Sequence, residues 1–286
     1  MKTRRSTRLV DMTYYLLQHP RRLVSLTFFA ERYQSAKSSI SEDLVIIKQT
    51  FEQQGVGTLQ TIPGAAGGVK YIPYMNSAEA DGLIEELCRQ LANPERLLPG
   101  GYLYMTDLLS NPRYINGAGR LFASLFAGQQ VDAVMTVATK GIPLAYAVAN
   151  YLDVPVVIAR KDSRVTEGPT VSINYVSGSS KRIQTMTLAK RSIPERANVL
   201  IVDDFMKAGG TIQGMISMLE EFQANVIGIG VLVEADHIEE RLIEDYVSLI
   251  RLSEVNTRDK VIEVVKGNYA LPEFKEEIVS EEEIKL

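Results

Sequence analysis

The sequence is poor in the residues that build disulfides and zinc sites. Its 286 residues include one cysteine, Cys88, and two histidines. A single cysteine excludes an internal disulfide framework and is typical of the reducing cytoplasm, where we expect this protein to work. A structural zinc site usually takes four cysteine or histidine ligands, so we expect no such metal site.

Long apolar stretches are also missing. No run of 18 apolar residues occurs, which is the minimum for a membrane-spanning helix. The basic N-terminus lacks the apolar core and the small-residue cleavage site of a signal peptide. We therefore expect no membrane partner.

The net charge of −4 hides an uneven distribution of charge along the chain. Residues 1–74 contain 10 basic and 5 acidic residues, whereas the rest contains 21 basic and 30 acidic ones. The length suggests about two domains. We place them at 1–74 and 75–286, and we expect only the basic one to meet a polyanion.

Three helices and a hairpin are predicted in the first 74 residues. Apolar spacing indicates a first helix through Leu9, Met12 and Leu16 that ends near Pro20, and a second over 26–33. A third follows a capping box made by Ser39 and Glu42 and stops at Gly55. Strands at 58–62 and 69–72 flank a glycine-rich tip. This order resembles a winged helix-turn-helix, whose third helix enters the DNA major groove. A small helical cap with a solvated basic face is the alternative.

The DNA contacts that this resemblance implies come from basic residues and from small hydroxyl donors. The basic N-terminus, the start of the third helix and the wing supply them: Lys2, Arg4, Arg5, Arg8, Lys37, Ser38, Ser39, Ser41 and Lys70. Basic side chains would contact phosphates, and the serines would meet base edges or phosphates. A serine at a helix start is equally well explained as a cap.

The rest of the chain alternates between strands and helices. A helix over 78–91 serves as a connector or a dimer surface. Apolar strands are predicted at 131–138, 154–159, 199–202 and 224–234. Next to each strand, apolar residues recur at the spacing of a helix. Such alternation predicts an α/β domain with a doubly wound, mainly parallel sheet.

One stretch of this second domain carries its chemistry. Four apolar residues, 199–202, precede Asp203 and Asp204, and a glycine-containing turn then opens a helix. Glycines let backbone N–H groups approach a phosphate, and a helix N-terminus carries about half a positive charge. The paired acids suit hydroxyl groups, or a metal ion that a pyrophosphate brings. Together these features predict a site for a ribose phosphate.

This stretch resembles the phosphoribosyl-pyrophosphate loop of type I phosphoribosyltransferases. The resemblance implies that Asp203 and Asp204 hold the ribose hydroxyls. It also implies a segment for the 5-phosphate, which we call the phosphate cradle. The cradle consists of Lys207, Ala208, Gly209, Gly210 and Thr211. Phe205 and Met206 precede it and belong to the same predicted site. Many members have Thr at the position of Ala208, so one hydroxyl contact is missing. A plain strand–turn–helix with solvated acids is the alternative.

The same resemblance implies further site residues at other strand ends. Thr139, Lys140 and Gly141 would form the pyrophosphate loop, and Arg160 and Lys161 would face the diphosphate. A long polar insertion before Pro194 matches the family's flexible loop, from which Lys181 and Arg182 could approach; a surface hairpin without a ligand role explains it equally well. Tyr102 either stacks on a base, as in xanthine phosphoribosyltransferases, or is a core or dimer contact.

The layout as a whole resembles the purine operon repressors of Gram-positive bacteria, through residues 36–43, 63–69, 97–102, 172–180 and 203–211. This resemblance implies a homodimer that binds double-stranded DNA at purine biosynthesis and transport genes and represses them. Its effector would be phosphoribosyl pyrophosphate, alone or with magnesium, or a related purine nucleotide. Phosphoribosyl pyrophosphate would weaken DNA binding, and the domain would have no catalytic residues. The alternative is an enzyme, a purine phosphoribosyltransferase.

Overall fold

The computed structural model describes residues 3–64, 66–99, 102–161, 168–176, 182–236, 240–256 and 261–272. None of the helices in these ranges is long and apolar enough to cross a membrane.

The N-terminal domain packs three helices on a small antiparallel sheet. Its elements are α1 (Arg5–Gln18), β1 (Leu23–Val24), α2 (Leu26–Tyr33), α3 (Lys37–Gln53), β2 (Gly57–Ile62) and β3 (Gly68–Pro73). The strand order is β1-β3-β2, and both pairings are antiparallel. A continuous core joins all six elements, with Phe29, Ile40 and Tyr71 among its members. The predicted winged helix-turn-helix is confirmed.

The start of α3 differs from the prediction. Ala36 is the N-cap and makes no side-chain cap hydrogen bond, so Ser39 lies inside the first turn. The capping box of Ser39 and Glu42 is therefore wrong. Ile40 is fully buried in the core, which means that packing determines where this helix begins.

Helices and short strands connect the two halves. They are α4 (Ser77–Leu91), a 3-10 turn (Pro94–Arg96), β4 (Leu97–Leu98), β5 (Tyr102–Leu103), α5 (Thr106–Leu109) and α6 (Pro112–Leu125). The apolar face of α4, formed by Ala80, Ile84, Leu87 and Leu91, packs into the core of the second domain.

A six-stranded sheet forms the centre of the second domain. The remaining elements are β6 (Ala133–Val137), α7 (Ile142–Leu152), β7 (Val156–Ala159), β8 (Thr170–Val176), β9 (Ile183–Ala189), β10 (Asn198–Met206), α8 (Gly210–Glu221), β11 (Asn225–Ala235), β12 (Val247–Asn256) and β13 (Val261–Lys266). The strand order is β13-β12-β11-β10-β6-β7. All neighbours are parallel except the edge pair β12–β13. The β8–β9 pair forms a separate hairpin.

Both faces of the sheet are covered. Leu200 and Val202 of β10 pack in one core with α4, α6 and α7, whereas Val199 and Ile201 pack in a second core with α8 and the hairpin. Alternate residues of one strand thus enter opposite cores, which confirms the doubly wound α/β domain.

Polar contacts join the two domains. Arg120 of α6 donates to the carbonyl oxygen of Gly55, just beyond α3, over 3.3 Å, and it also pairs with Glu79 of α4. Arg21 donates to the carbonyl oxygen of Gln129 at 2.8 Å.

Candidate functional site

The paired acids lie at the carboxyl end of β10, in the middle of the sheet. Asp203 is 6% exposed, and its Oδ1 accepts from the backbone N–H of Asp204 at 3.0 Å. Burial raises the pKa of Asp203 well above its usual range, and the neighbouring Asp204 carboxylate raises it further. Burial also raises the pKa of Asp204. A carboxyl pair with raised pKa values carries less negative charge and can bond hydroxyl groups both as donor and as acceptor.

The phosphate cradle follows directly. Gly209 is the N-cap of α8 and has φ 88°, which is a conformation that favours glycine. Lys207 is exposed, and α8 begins at Gly210. The first N–H groups of a helix have no partners within it, so this turn offers donors and a partial positive charge to an anion. The phosphate-binding role of the cradle stays a prediction.

The loop after β6 meets the acid pair. A Cβ atom on Gly141 would lie 2.2 Å from Thr136 Oγ1 and 3.1 Å from Asp203 Oδ1. Thr139 and Lys140 are exposed beside it, and the Ala138–Thr139 peptide is cis. The positive charge of Lys140 lowers the pKa of Asp204 and so opposes the effect of burial. The charge of the exposed Lys161 does the same for the pKa of Asp203. Both lysines therefore act electrostatically on the acid pair.

The β8–β9 hairpin packs over the start of α8. Arg160, at the end of β7, exchanges backbone hydrogen bonds with Thr187 of β9 at 3.0 and 2.7 Å. The Tyr175 ring contacts Gly214, where an added Cβ would be 2.9 Å away. Burial raises the pKa of Tyr175, whereas its hydrogen bond with Thr211 lowers it. The polar insertion is thus a hairpin that touches the cradle.

Some predicted residues lie differently. The Met206 side chain is 2% exposed and belongs to the core, so only its backbone is available to a ligand. Tyr102, on β5, is 69% exposed, which excludes the core alternative for this residue. Its stacking role stays a prediction. Arg182 is exposed, and Lys181 lies outside the described residues.

Two residues that contact the predicted site had no role assigned from the sequence, Thr136 and Tyr175. Thr136 Oγ1 is buried without a hydrogen-bond partner and points at Gly141. The sequence feature that could have identified Thr136 is its position as a threonine within an apolar strand. Tyr175 had no local signal, because its contact with Thr211 depends on the position of the hairpin.

In the part of the chain that the structure describes, no group of three or more His, Cys, Asp or Glu side chains could hold a metal ion. A magnesium ion at the acid pair would therefore take its other oxygen ligands from water or from the bound molecule.

The candidate DNA surface consists of the start of α3 and the start of α1. Lys37 and Ser38 are exposed, whereas Ser39 and Ser41 are half-buried. Arg4 is exposed as the N-cap of α1, and the Arg5 side chain is 54% exposed. Lys70 is half-buried on β3, the central strand of the small sheet, and Lys2 lies outside the described residues.

Arg8 requires a correction. Its side chain is 6% exposed, and its guanidinium pairs with Asp43, which is fully buried on α3. It also donates to Ser35 Oγ at 3.1 Å. Because its charge is used inside the domain, the predicted contact of Arg8 with DNA phosphates is wrong.

Comparison with known proteins accounts for both domains. A family model described as "Bacterial purine repressor, N-terminal" matches residues 4–73, and one described as "Phosphoribosyl transferase domain" matches residues 105–265. The purine biosynthesis transcriptional repressor PurR of Bacillus subtilis is 66% identical over 98% of both chains. The chain belongs to the bacterial purine repressor family. A relative from Lactococcus lactis, 47% identical over 93% of this chain and 98% of its own, is named a purine biosynthesis transcriptional activator.

Enzymes also resemble part of this chain. The xanthine phosphoribosyltransferase of Alkaliphilus metalliredigens is 32% identical and covers 53% of this chain and 76% of its own. An adenine phosphoribosyltransferase structure from Thermoanaerobacter pseudethanolicus, with 23% identity and a TM-score of 0.51, covers 59% of this chain and 99% of its own, and it shares the fold. The full-length relatives carry the names of regulators, so membership of this family favours a regulator over an enzyme.

Proposed function

We propose that this protein is a DNA-binding repressor of purine biosynthesis and transport genes, and that phosphoribosyl pyrophosphate weakens its hold on DNA. The observation that carries the proposal is the meeting of the acid pair and the cradle at one end of β10, in a chain that also contains a winged helix. Phosphoribosyl pyrophosphate has a ribose with two free hydroxyls, a 5-phosphate and a diphosphate. Each of these groups has a partner of suitable chemistry in the site.

The proposed roles follow from charge and geometry. Asp203 and Asp204 take the ribose hydroxyls, while the cradle takes the 5-phosphate. Residues 139–141, with Arg160 and Lys161, take the diphosphate, alone or with magnesium, and Tyr102 lies against a base when a related purine nucleotide binds. Lys140 and Lys161, like Tyr102, Thr139 and Lys207, are exposed and so accessible to a ligand.

We propose that a homodimer presents two winged helices to duplex DNA in the cytoplasm. The start of α3 meets the major groove, and Arg4, Arg5 and Lys37 meet phosphates, which supply most of the affinity. The effector must then bind the DNA-free form better than the DNA-bound form, with a coupling of about 1–3 kcal/mol in typical cases.

Fluorescence anisotropy tests this directly. The protein is bound to promoter DNA of its own purine genes and titrated with phosphoribosyl pyrophosphate, with and without magnesium. We expect tight binding that the ligand releases. The double variant Asp203→Asn/Asp204→Asn should bind the same DNA and fail to be released. Tight binding without release by the unmodified protein would remove the effector from the proposal, and no binding would remove the repressor.

A further inference from the structure

The outer side of the phosphate cradle is covered by a segment that the site described above does not use. This segment, residues 240–246, follows β11. The backbone N–H of Leu242 donates to the carbonyl oxygen of Ala208 at 2.9 Å. Ile243 packs directly on Gly209, where an added Cβ would lie 2.7 Å from Ile243 Cγ1. One residue thus holds the cradle by its backbone, and the next holds it by packing.

A cluster of buried polar groups anchors this segment to the sheet. Arg241 pairs with Glu234 of β11, contacts the hydroxyl of Tyr246 and donates to the carbonyl oxygen of Ala235 at 2.6 Å. Glu234 is 4% exposed and also accepts from Ser248 Oγ at 2.6 Å. Its carboxylate therefore has partners on β12 and on the segment.

The anchor lies next to the cradle in the sheet. Glu234 pairs in register with Met206, the last residue of β10 before the cradle. Arg241 immediately precedes Leu242 in the chain. The cluster holds the Arg241 side chain, and the next backbone N–H, that of Leu242, bonds to Ala208. A planar guanidinium with several fixed partners leaves little freedom to the backbone beside it.

We propose that Arg241, held by Glu234 and Tyr246, is a positioning residue that fixes the backbone of the phosphate cradle through Leu242 and Ile243. A phosphate is bound by several N–H groups at once, so its affinity depends on their fixed relative positions. Loss of Arg241 changes no residue of the cradle, but it allows the turn at 208–209 to move. The inference rests on the proposed function, because it assumes that the cradle binds a phosphate.

The test compares ligand affinity with DNA affinity in the full-length protein. Ribose 5-phosphate and phosphoribosyl pyrophosphate are titrated calorimetrically into the unmodified protein, Arg241→Met and the double variant Glu234→Gln/Arg241→Met. The double variant guards against misfolding, because it leaves no buried carboxylate unpaired. Outer partners of metal ligands typically change affinity by about 10- to 100-fold, and we expect a loss of at least about tenfold for both ligands.

Two further variants separate positioning from general damage. Arg241→Lys keeps the charge and should restore part of the affinity. Arg251→Met removes a basic residue at the same end of the sheet, one that pairs at 3.7 Å with Asp236 and has a 48% exposed side chain. It should leave both ligand affinities unchanged. In all variants DNA affinity without ligand should equal that of the unmodified protein.

Unchanged ligand affinity in both methionine variants would overturn the inference, and so would a parallel loss of DNA affinity. If the unmodified protein bound neither ligand, the proposed function would fail first, and the inference would fail with it. If the unmodified protein bound both ligands and the variants bound them with the same affinity, the proposed function would stand. Only the role of Arg241 would then be lost.

Discussion

At the scale of single residues, the acid pair shows that a binding site can be costly to the fold. Burial raises the pKa of Asp203, because a charged carboxylate loses its hydration in the interior. Lys161, which follows β7, acts against the rise in the pKa of Asp203, and Lys140 acts against that of Asp204.

The raised pKa of Asp203 has a consequence for stability. The folded state keeps a proton at pH values where the unfolded chain has lost it, so stability falls as pH rises from about 4, the ordinary pKa of aspartate, through the raised pKa. Asp203→Asn removes this titration. We expect the variant to be more stable than the parent at neutral pH, with the difference vanishing below about pH 4.

Urea unfolding between pH 3.5 and 8 would measure the difference, with the exposed Asp245→Asn as the control for loss of a surface charge. Equal stability of the parent and Asp203→Asn at every pH would contradict the raised pKa.

Gly141 provides a second prediction at this scale. A methyl group there would meet Thr136 Oγ1 at 2.2 Å, which is closer than real contacts allow, so the loop must shift away from Asp203. We expect Gly141→Ala to weaken phosphoribosyl pyrophosphate binding by at least about tenfold, or about 1.4 kcal/mol, in a calorimetric titration.

Gly82→Ala on α4 is the matched control, because nothing lies within 4 Å of its added methyl group. It should leave ligand binding unchanged and stabilise the protein by about 0.5–1 kcal/mol, the helix preference for alanine. Equal ligand affinity in the two variants would show that Gly141 does not approach the ligand.

At the scale of elements, the buried pair of Arg8 and Asp43 ties α1 to α3. Arg8→Met would leave the Asp43 carboxylate buried, with Arg5 as its remaining cation at 2.9 Å. Loss of one partner of a buried pair typically costs about 3–5 kcal/mol, and we expect a loss near the lower end of this range in urea unfolding.

The exposed Arg4 should behave in the opposite way. Arg4→Ala should leave stability unchanged and lower the slope of log affinity against log salt by about one, the value for one phosphate contact. DNA titrations at several salt concentrations measure the slope. If Arg8→Met changed the slope as much as Arg4→Ala without loss of stability, the internal role of Arg8 would be excluded.

The elements that the sequence predicted are those with a strong local pattern. The β10–cradle–α8 unit, the wing strands and most helices follow from apolar spacing and glycine positions. Strands β1, β4 and β5 have two residues each, and their hydrogen bonds come from partners elsewhere in the chain, so no local pattern marks them. The ion pair of Arg8 could not be predicted from a local pattern either, since its partner Asp43 is 35 residues away in the sequence.

At the scale of the whole molecule, Arg120 connects the two domains. It lies on α6 beside Gly119, where an added Cβ would be 2.6 Å from Ala147 of α7. Helix α7 in turn begins directly after Gly141. The Arg120 guanidinium reaches the carbonyl oxygen of Gly55 beyond α3, while its buried Nε has no hydrogen-bond partner. Packed contacts therefore run from the loop at Gly141 to the end of α3, the helix that we propose meets DNA.

We expect Arg120→Met to bind phosphoribosyl pyrophosphate normally and to release DNA less completely. The measurement is the ratio of DNA dissociation constants with and without saturating ligand. Arg113→Met, at an exposed position near the start of the same helix, is the control and should keep the full ratio. An undiminished ratio in Arg120→Met would mean that the effect travels by another route.

The contact of Arg120 with Gly55 also has a genetic consequence. Cells selected for failure to switch on purine synthesis when precursor is abundant should yield two kinds of allele. One kind would map to the acid pair and the cradle and produce a protein blind to its inducer. The other would map to Arg120 and its partners and produce a protein that binds the inducer yet stays on the operator.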